Sequence, residues 1–482
     1  MLKHFSNQRR WFGAMEKMAD SISSSTIKPI DLATKDPRTH GSPFKFGSYE
    51  ATPRNRIVSK LPNGIRVVTE TPLIPSPVTF GVLLDVGTRD ETKENSGALH
   101  SIKTTYYKSN LNTNETINYG MVQMSGGKYD MNYDRETTIF KATCLSHDVV
   151  DLFGMVSDCI LEPRTFATAN VAISKLPHSH KLHAIQQSHH LQTDKLLSAC
   201  YGNKGLGMPH LGFEKNIINL DAHTLQKFQI ENISPEKIVI AGVGVENHGE
   251  FLELVNNFYG NLAYGSAKNK REGQRFTETE LKTKNNNLGK NEVIIVFESS
   301  SWNCNDLIMN FLAREVLGSA DVANPDCQEA NRGVFSSEIY QKHKSVHSIE
   351  SFNMHFSDSG IFGFRLQTNA DSTNKAIEVL SSAVNNIGSI TQTQFDGAKK
   401  RLKRRIIESL GRDWERVEEI LKHQNTYNEF RVEQFLKEID SASLQNLANW
   451  FQGLTKHGMS VLFEGPELSN VHSHGKIKGL FK

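Results

Sequence analysis

The sequence predicts an α+β fold made of two homologous halves, each a mostly antiparallel sheet packed with helices. Three observations carry this reading. Short alternating or continuous apolar runs, bounded by turn residues, recur in clusters, and each cluster is followed by a segment of helical period. The dipeptide Ile139-Phe140 has a counterpart in Ile361-Phe362, an offset of 222, and Ile160 has one in Ile387, an offset of 227. That spacing is too long for a solenoid and suits a duplicated domain. Finally, residues 263–292 are poor in apolar residues and rich in Lys, Asn, Thr and Glu, the composition of a linker.

Residues 1–55 read as an N-terminal targeting segment and extended arm. Lys3, Arg9 and Arg10 precede the first acid, Glu16, and serines crowd 21–25, which is the composition of a mitochondrial transit peptide. Arg10-Trp11-Phe12 resembles a presequence cleavage signal; the competing reading is a basic disordered N-terminus. The first domain is assigned to 56–262. "RIVSKLPNGIRVVTE" is a hairpin around Pro62-Asn63-Gly64, "VTFGVLLDVG" a third strand, and 96–111 a helix. "KYDMNYDRETTIFKATCL" is again strand-like, and "SHDVVDLFGMVSDCIL" is helical. The second domain, 293–482, repeats the order: "EVIIVFESS" as strand, "CNDLIMNFLAREVLG" as helix, "SIESFNMHFSDSGIFGFRL" as strands. "EKIVIAGVG" and "HGMSVLFEGP" are the matching late strands of the two halves.

Composition excludes several functions. The 55 basic and 53 acidic side chains leave a net charge of +2, too little field to imply a nucleic-acid partner. Five cysteines without a C-x-x-C pair indicate neither a disulfide framework nor a cysteine-rich zinc site, and fit a reducing compartment. No run approaches the ~20 apolar residues of a membrane span.

The stretch "SGALHSIKTTYY" is where chemistry is sought. In an inverted zincin helix, H-x-x-E-H, two histidines four apart bind zinc from one face and the glutamate between them polarises a water. Here the corresponding positions are His100, Lys103 and Thr104. An ammonium beside a dication is repelled and cannot accept the water's proton, and threonine is a poor zinc ligand. The segment 165–195, where a third ligand is sought, contains no glutamate and only Asp194 as an acid. It does contain His178, His180, His183, His189 and His190. On a helix His180 and His183 could pair, but His190 lies roughly 10 Å further along the axis. A solvated helix face or an opportunistic metal contact accounts for them. No metal site and no cofactor are assigned.

The order of these motifs resembles the pitrilysin-type metallopeptidase family from about 56 to 465. Within it, the likeness is to the alpha-type subunits of the mitochondrial processing peptidase and the related core proteins of respiratory complex III. It is carried by "LPNGIRVVTE", "VGTRDE…SGALH", "DKLLSACYGNKGLGMPHLGFEKNI", "GVFSSEIYQ" and "SFNMHFSDSGIFGF". The resemblance implies a clam-shell of which this chain is one half and a zinc-bearing beta subunit the other. It implies a catalytically inactive chain in the mitochondrion, on the matrix side of the inner membrane, with the other subunits of complex III and presequence peptides as further partners. A purely structural core protein is the alternative.

The family's alpha subunit is expected to hold presequences with a glycine-rich loop. Between Gly318 and Gly333 this chain instead reads "SADVANPDCQEANR", without glycine, and so gives a stiffer segment. Asp321, Asp326 and Glu329 place three carboxylates there, either as arginine-recognising groups facing the cavity or as solvated loop charges. With the two glycines they form the candidate substrate-binding set.

Overall fold

The computed structural model describes residues 54–72, 77–106, 113–161, 188–217, 219–263, 271–323, 332–340, 343 and 345–481. Of the predicted targeting segment and arm, 1–55, all but residues 54 and 55 lie outside them. Two six-stranded sheets form the frame. The first comprises β1 (Arg56–Lys60), β2 (Arg66–Glu70), β3 (Val78–Leu84), β4 (Lys128–Tyr133), β5 (Thr138–Cys144) and β6 (Ile238–Val243), in the order β1-β2-β6-β3-β5-β4. The second comprises β7 (Glu280–Lys284), β8 (Asn291–Ser299), β9 (Ser319–Asp321), β10 (Val346–His355), β11 (Gly360–Thr368) and β12 (Met459–Gly465), in the order β7-β12-β8-β11-β10-β9.

The duplication is visible in the pairing. Strands β2-β6-β3-β5-β4 and β7-β12-β8-β11-β10 have the same sequence of directions, with β2/β6 and β7/β12 the parallel pairs and every other pair antiparallel. Ile139-Phe140 sit on β5 opposite Leu83 and Val82, and Ile361-Phe362 sit on β11 opposite Glu298 and Phe297. The Pro62–Gly64 turn closes the predicted hairpin, with Gly64 at φ +100° and its N–H donating to Leu61 O at 2.9 Å. The segment after residue 127, read as one strand-like unit, is a hairpin of β4 and β5.

Both sheets are buried on both faces, which is why their central strands read as continuous apolar runs. On β8, Val293, Ile295 and Phe297 enter one core while Ile294 and Val296 enter another. On β6, Ile238 and Ile240 face one core while Val239, Ala241 and Val243 face another. One face of the first sheet is covered by helices of its own half: α1 (Ala98–Thr105), α2 (Glu115–Met124) and α3 (Val149–Leu161) among them.

The other faces are covered crosswise. Helix α4 (Ser188–Tyr201) carries Leu196, Leu197, Cys200 and Tyr201 onto Ile294, Val296, Ile361 and Leu462 of the second sheet. After α5 (Ala222–Asn232) and α6 (His248–Tyr259) close the first half, the second builds its own cover from α7 (Leu307–Leu317), α8 (Thr373–Asn385) and α9 (Gln392–Leu410). Helix α10 (Asp413–Tyr427) then returns to the first sheet, placing Val417, Ile420 and Leu421 on Val68, Leu83, Ile139 and Val239. Helices α11 (Val432–Ser441), α12 (Leu444–Leu454) and α13 (His474–Leu480) complete the second half.

Ion pairs reinforce the crossing. Arg89 reaches Glu136 at 2.6 Å within its own half and Asp358 at 2.6 Å in the other, and Arg416 of α10 pairs with the fully buried Glu70 of β2. Lys195 of α4 contacts Glu464 of β12 at 2.9 Å. The expected linker, 263–292, is structured where described: β7 is an edge strand alternating between exposed and half-buried residues, and Arg271 is held by Asp85 and Asp90. Over β7 its low apolar content belongs to a solvated sheet edge.

Helix α10 lies so close to β3 that a Cβ built on Gly81 would stand 2.8 Å from Leu421 Cδ1 and 2.9 Å from Val417 Cγ1. Gly81→Val should therefore push the helix off the sheet and destabilise the fold by ~1–3 kcal/mol. Gly120→Ala, in open space on α2, serves as the control and should be neutral to mildly stabilising. Equal denaturant midpoints for the two variants would refute this packing.

Candidate functional site

Helix α1 begins after Gly97, whose φ of +96° disfavours any other residue and where a Cβ would stand 3.0 Å from Ile217 Cγ1. Its first turn is capped by Glu91, whose carboxylate accepts the N–H groups of Gly97 and Leu99, each at 2.9 Å. Glu91 is buried, and burial pushes its pKa up to about 8, against those two donors and the nearby Arg135 guanidinium.

The degenerate motif occupies one face of this helix, as the spacing predicts. His100 is buried, and its Nδ1 lies 3.3 Å from the Tyr133 hydroxyl. That hydroxyl also donates to His210 O at 3.1 Å, and the two rings stack with centroids 4.3 Å apart. Lys103 donates to Asn132 Oδ1 at 2.9 Å, and Thr104 turns its hydroxyl back to Ser101 O at 2.9 Å. The three positions thus present an imidazole, an ammonium and a hydroxyl already committed to its own helix. Asp194 on α4, the acid in the segment searched for a third ligand, pairs with Arg135 and accepts the His210 N–H at 2.9 Å. Among the described residues no group of three or more His, Cys, Asp or Glu side chains is placed to hold a metal ion. His178, His180 and His183 lie outside the described residues, as do the side chains of His189 and His190.

The candidate loop has a defined neck. Gly318 and Gly333 have φ of +73° and +74°, and Cβ atoms there would lie 2.0 Å from Arg332 O and 2.5 Å from Val316 O. Ser319 and Arg332 exchange backbone hydrogen bonds across the neck at 3.0 and 2.8 Å. Asp321 ends β9 and accepts the Ala323 N–H at 2.9 Å, while Asp326 and Glu329 lie outside the described residues. The structure therefore brings the two glycines together, with Asp321 at the end of the short strand that leaves the neck.

Sequence reasoning missed the cations beside this neck. Glu315, 1% exposed, forms an ion pair with Arg405 at 2.5 Å and has Arg332 and Arg401 each at 3.7 Å. The run "KKRLKRR" on α9 was the available signal. Also missed was a cavity of about 630 Å³ between the two sheets, lined by Tyr133, Arg135 and His210 on one side and Trp302, Arg314 and His355 on the other.

Two imidazoles on that cavity give stability an acid limb. Burial pulls both His355 and His423 down to about 4, with Arg56 and Arg431 adding to the effect at His423. Their folded pKa values lie below the ~6.5 of a free imidazole, so the unfolded chain takes up protons first as the pH falls. Their contribution is complete above about pH 6.5 and is lost towards about 4. Glu91 acts in the opposite sense, because the folded state retains a proton that the unfolded chain releases above about 4.5, and its contribution is lost as the pH rises through about 8. Unfolding free energy should thus peak near pH ~6.5, and His355→Gln with His423→Gln should flatten the acid limb. An acid limb unchanged in that double variant would contradict the assignment.

Comparison with known proteins places this geometry in context. Residues 66–213 match the family profile described as Insulinase (Peptidase family M16), and residues 219–402 match that described as Peptidase M16 inactive domain. The chain is 24% identical over 418 residues to the mitochondrial-processing peptidase subunit beta of Blastocladiella emersonii, covering 85% of this chain and 88% of that one. It is 24% identical over 480 residues to the alpha subunit of Solanum tuberosum, covering 95% and 91%. To the cytochrome b-c1 complex subunit 1 of Caenorhabditis elegans it is 23% identical over 408 residues, covering 80% and 84%. Its fold is similar to that of a chain in complex III2 from Candida albicans with Inz-5 bound, with a TM-score of 0.72, 16% identity, and coverage of 88% of this chain and 99% of that one.

Proposed function

Since the chain belongs to the M16 peptidase family, we propose that it is a non-catalytic, alpha-type member of that family in the mitochondrion, working with a zinc-bearing beta subunit. Overall identity does not separate alpha from beta relatives, which stand at 24% each. One observation carries the choice: on α1 the place of the general base is held by Lys103 and that of the second ligand by Thr104. A cation at that place opposes both the metal and the proton transfer, so hydrolysis falls to the partner.

In this reading the domains 56–262 and 293–482 form one half of a clam-shell on the matrix side of the inner membrane. The beta subunit closes it, and the assembly is also part of respiratory complex III. The neck formed by Gly318, Gly333 and Asp321, with Asp326 and Glu329 beyond it, assists in holding basic presequences. The alternative, a purely structural core protein without presequence handling, is favoured by a specific feature. Arg314, Arg332, Arg401 and Arg405 gather near the neck around a single buried carboxylate, Glu315, and would repel a cationic peptide.

Reconstitution with a zinc-bearing beta subunit separates the two readings. Gly333→Val distorts the neck and should raise the KM for a presequence peptide about tenfold if the neck handles substrate. Unchanged kinetics in an intact heterodimer would leave the scaffolding reading alone standing.

A further inference from the structure

One end of the inter-sheet cavity carries a cation with no carboxylate in ion-pair contact among the described residues. Arg314, on α7, reaches Asn353 Oδ1 only at 3.5 Å, and its buried Nε has no hydrogen-bond partner. Among the described residues no carboxylate lies within ion-pair distance of it. The adjacent Glu315 is taken by Arg405 at 2.5 Å, and Glu350 by Arg365 at 2.7 Å. Burial, and after it the like charge of Arg405, draws the Arg314 pKa downward by more than the charges of Glu315 and Glu350 restore.

Three of the four acids on the cavity wall are already engaged. Asp85 is held by Arg271 and Glu136 by Arg89, while Asp134 accepts the N–H groups of Glu136 and Thr137 in its own turn. Glu419 stands beside His423, at 3.7 Å. A partly buried guanidinium without an ion-pair partner is costly, and its planar fork matches a carboxylate.

Next to Arg314 the wall is aromatic. Trp302, Phe311 and His355 cluster with ring centroids 5.2 to 6.4 Å apart. His355 Nδ1 faces Ser300 O at 2.9 Å and its Nε2 faces the Asn353 amide at 3.0 Å, so the ring is held as a neutral wall. Tyr427 fixes the Trp302 segment by donating to its carbonyl at 2.9 Å. A small number of placed donors against an apolar, aromatic surface is the construction of a small-ligand site.

We propose that this end of the cavity binds a carboxylate borne on an apolar body, with the carboxylate on Arg314 and the body against Trp302 and Phe311. The carboxylate comes from a small organic acid or from the acidic end of a peptide. The inference is independent of presequence handling, because the group recognised has the opposite charge.

Calorimetric titration of the full chain tests it, with 4-phenylbutyrate as the small acid, 4-phenylbutanol as its uncharged analogue, and acetyl-Phe-Glu-Glu as the peptide. The acid or the peptide should bind at least about tenfold more tightly than the alcohol, and Arg314→Met should abolish that preference. Arg314→Lys keeps the charge but loses the fork, and should weaken binding several-fold with the fold intact, covering the case in which the methionine variant does not fold. Tighter binding of the acid assigns the site to small molecules, and tighter binding of the peptide to a protein terminus. Equal affinity for acid and alcohol, no binding below about 10 mM, or wild-type affinity in the folded Arg314→Lys and Arg314→Met variants would overturn the proposal.

Discussion

Burial of both faces of two sheets within one chain is the constraint on which the rest of this structure depends. A sheet apolar on both faces needs two covers, and each half supplies only one from its own helices. The second is exchanged: α4 crosses to the second sheet and α10 to the first, where Leu421 and Val417 press on Gly81. The halves are therefore cover for each other rather than beads on a tether. The polar contacts follow the same logic, since Glu70, fully buried on β2, is tolerable only because Arg416 arrives on the crossing helix and Arg56 stands beside it.

The crossing also shapes the two regions of chemical interest. Helix α4 brings Asp194 beside Arg135 and His210, so hydrogen bonds run from His100 of the degenerate motif through Tyr133 and the His210 backbone to Asp194. In the proposed reading the helix that would orient metal ligands in a peptidase is kept, and a buried imidazole, an ammonium and a committed hydroxyl stand in place of its chemistry. The space left between the two exchanged helices is the cavity, with the loops around Trp302 and His355 as its far wall. Structural covering and cavity formation thus have one origin.

Much of this was legible in the residues. Alternation in "RIVSKLPNGIRVVTE" gave the hairpin of β1 and β2, and the offset linking Ile139-Phe140 to Ile361-Phe362 gave the repeated sheet, because both depend on local periodicity. The spacing of His100, Lys103 and Thr104 likewise settles their common face. What was not legible depends on partners distant in sequence. Nothing in the apolar stripe of α10 says which sheet it covers, since Val417, Ile420 and Leu421 would suit either. The polar alternation of β7 reads equally as a linker until β12 is seen beside it in parallel. Arg314 looks like one more helix-surface cation in "FLAREVLG", and only the fold shows that Glu315 beside it is claimed by Arg405.

The central claim is that α1 lacks the groups to hold and activate a hydrolytic water. Zinc titration of the full, isolated chain, by equilibrium dialysis at neutral pH, tests it most directly. The account predicts no stoichiometric tight binding, with metal taken up only weakly and at scattered sites. One equivalent of zinc held at submicromolar affinity and lost on His100→Ala would contradict it.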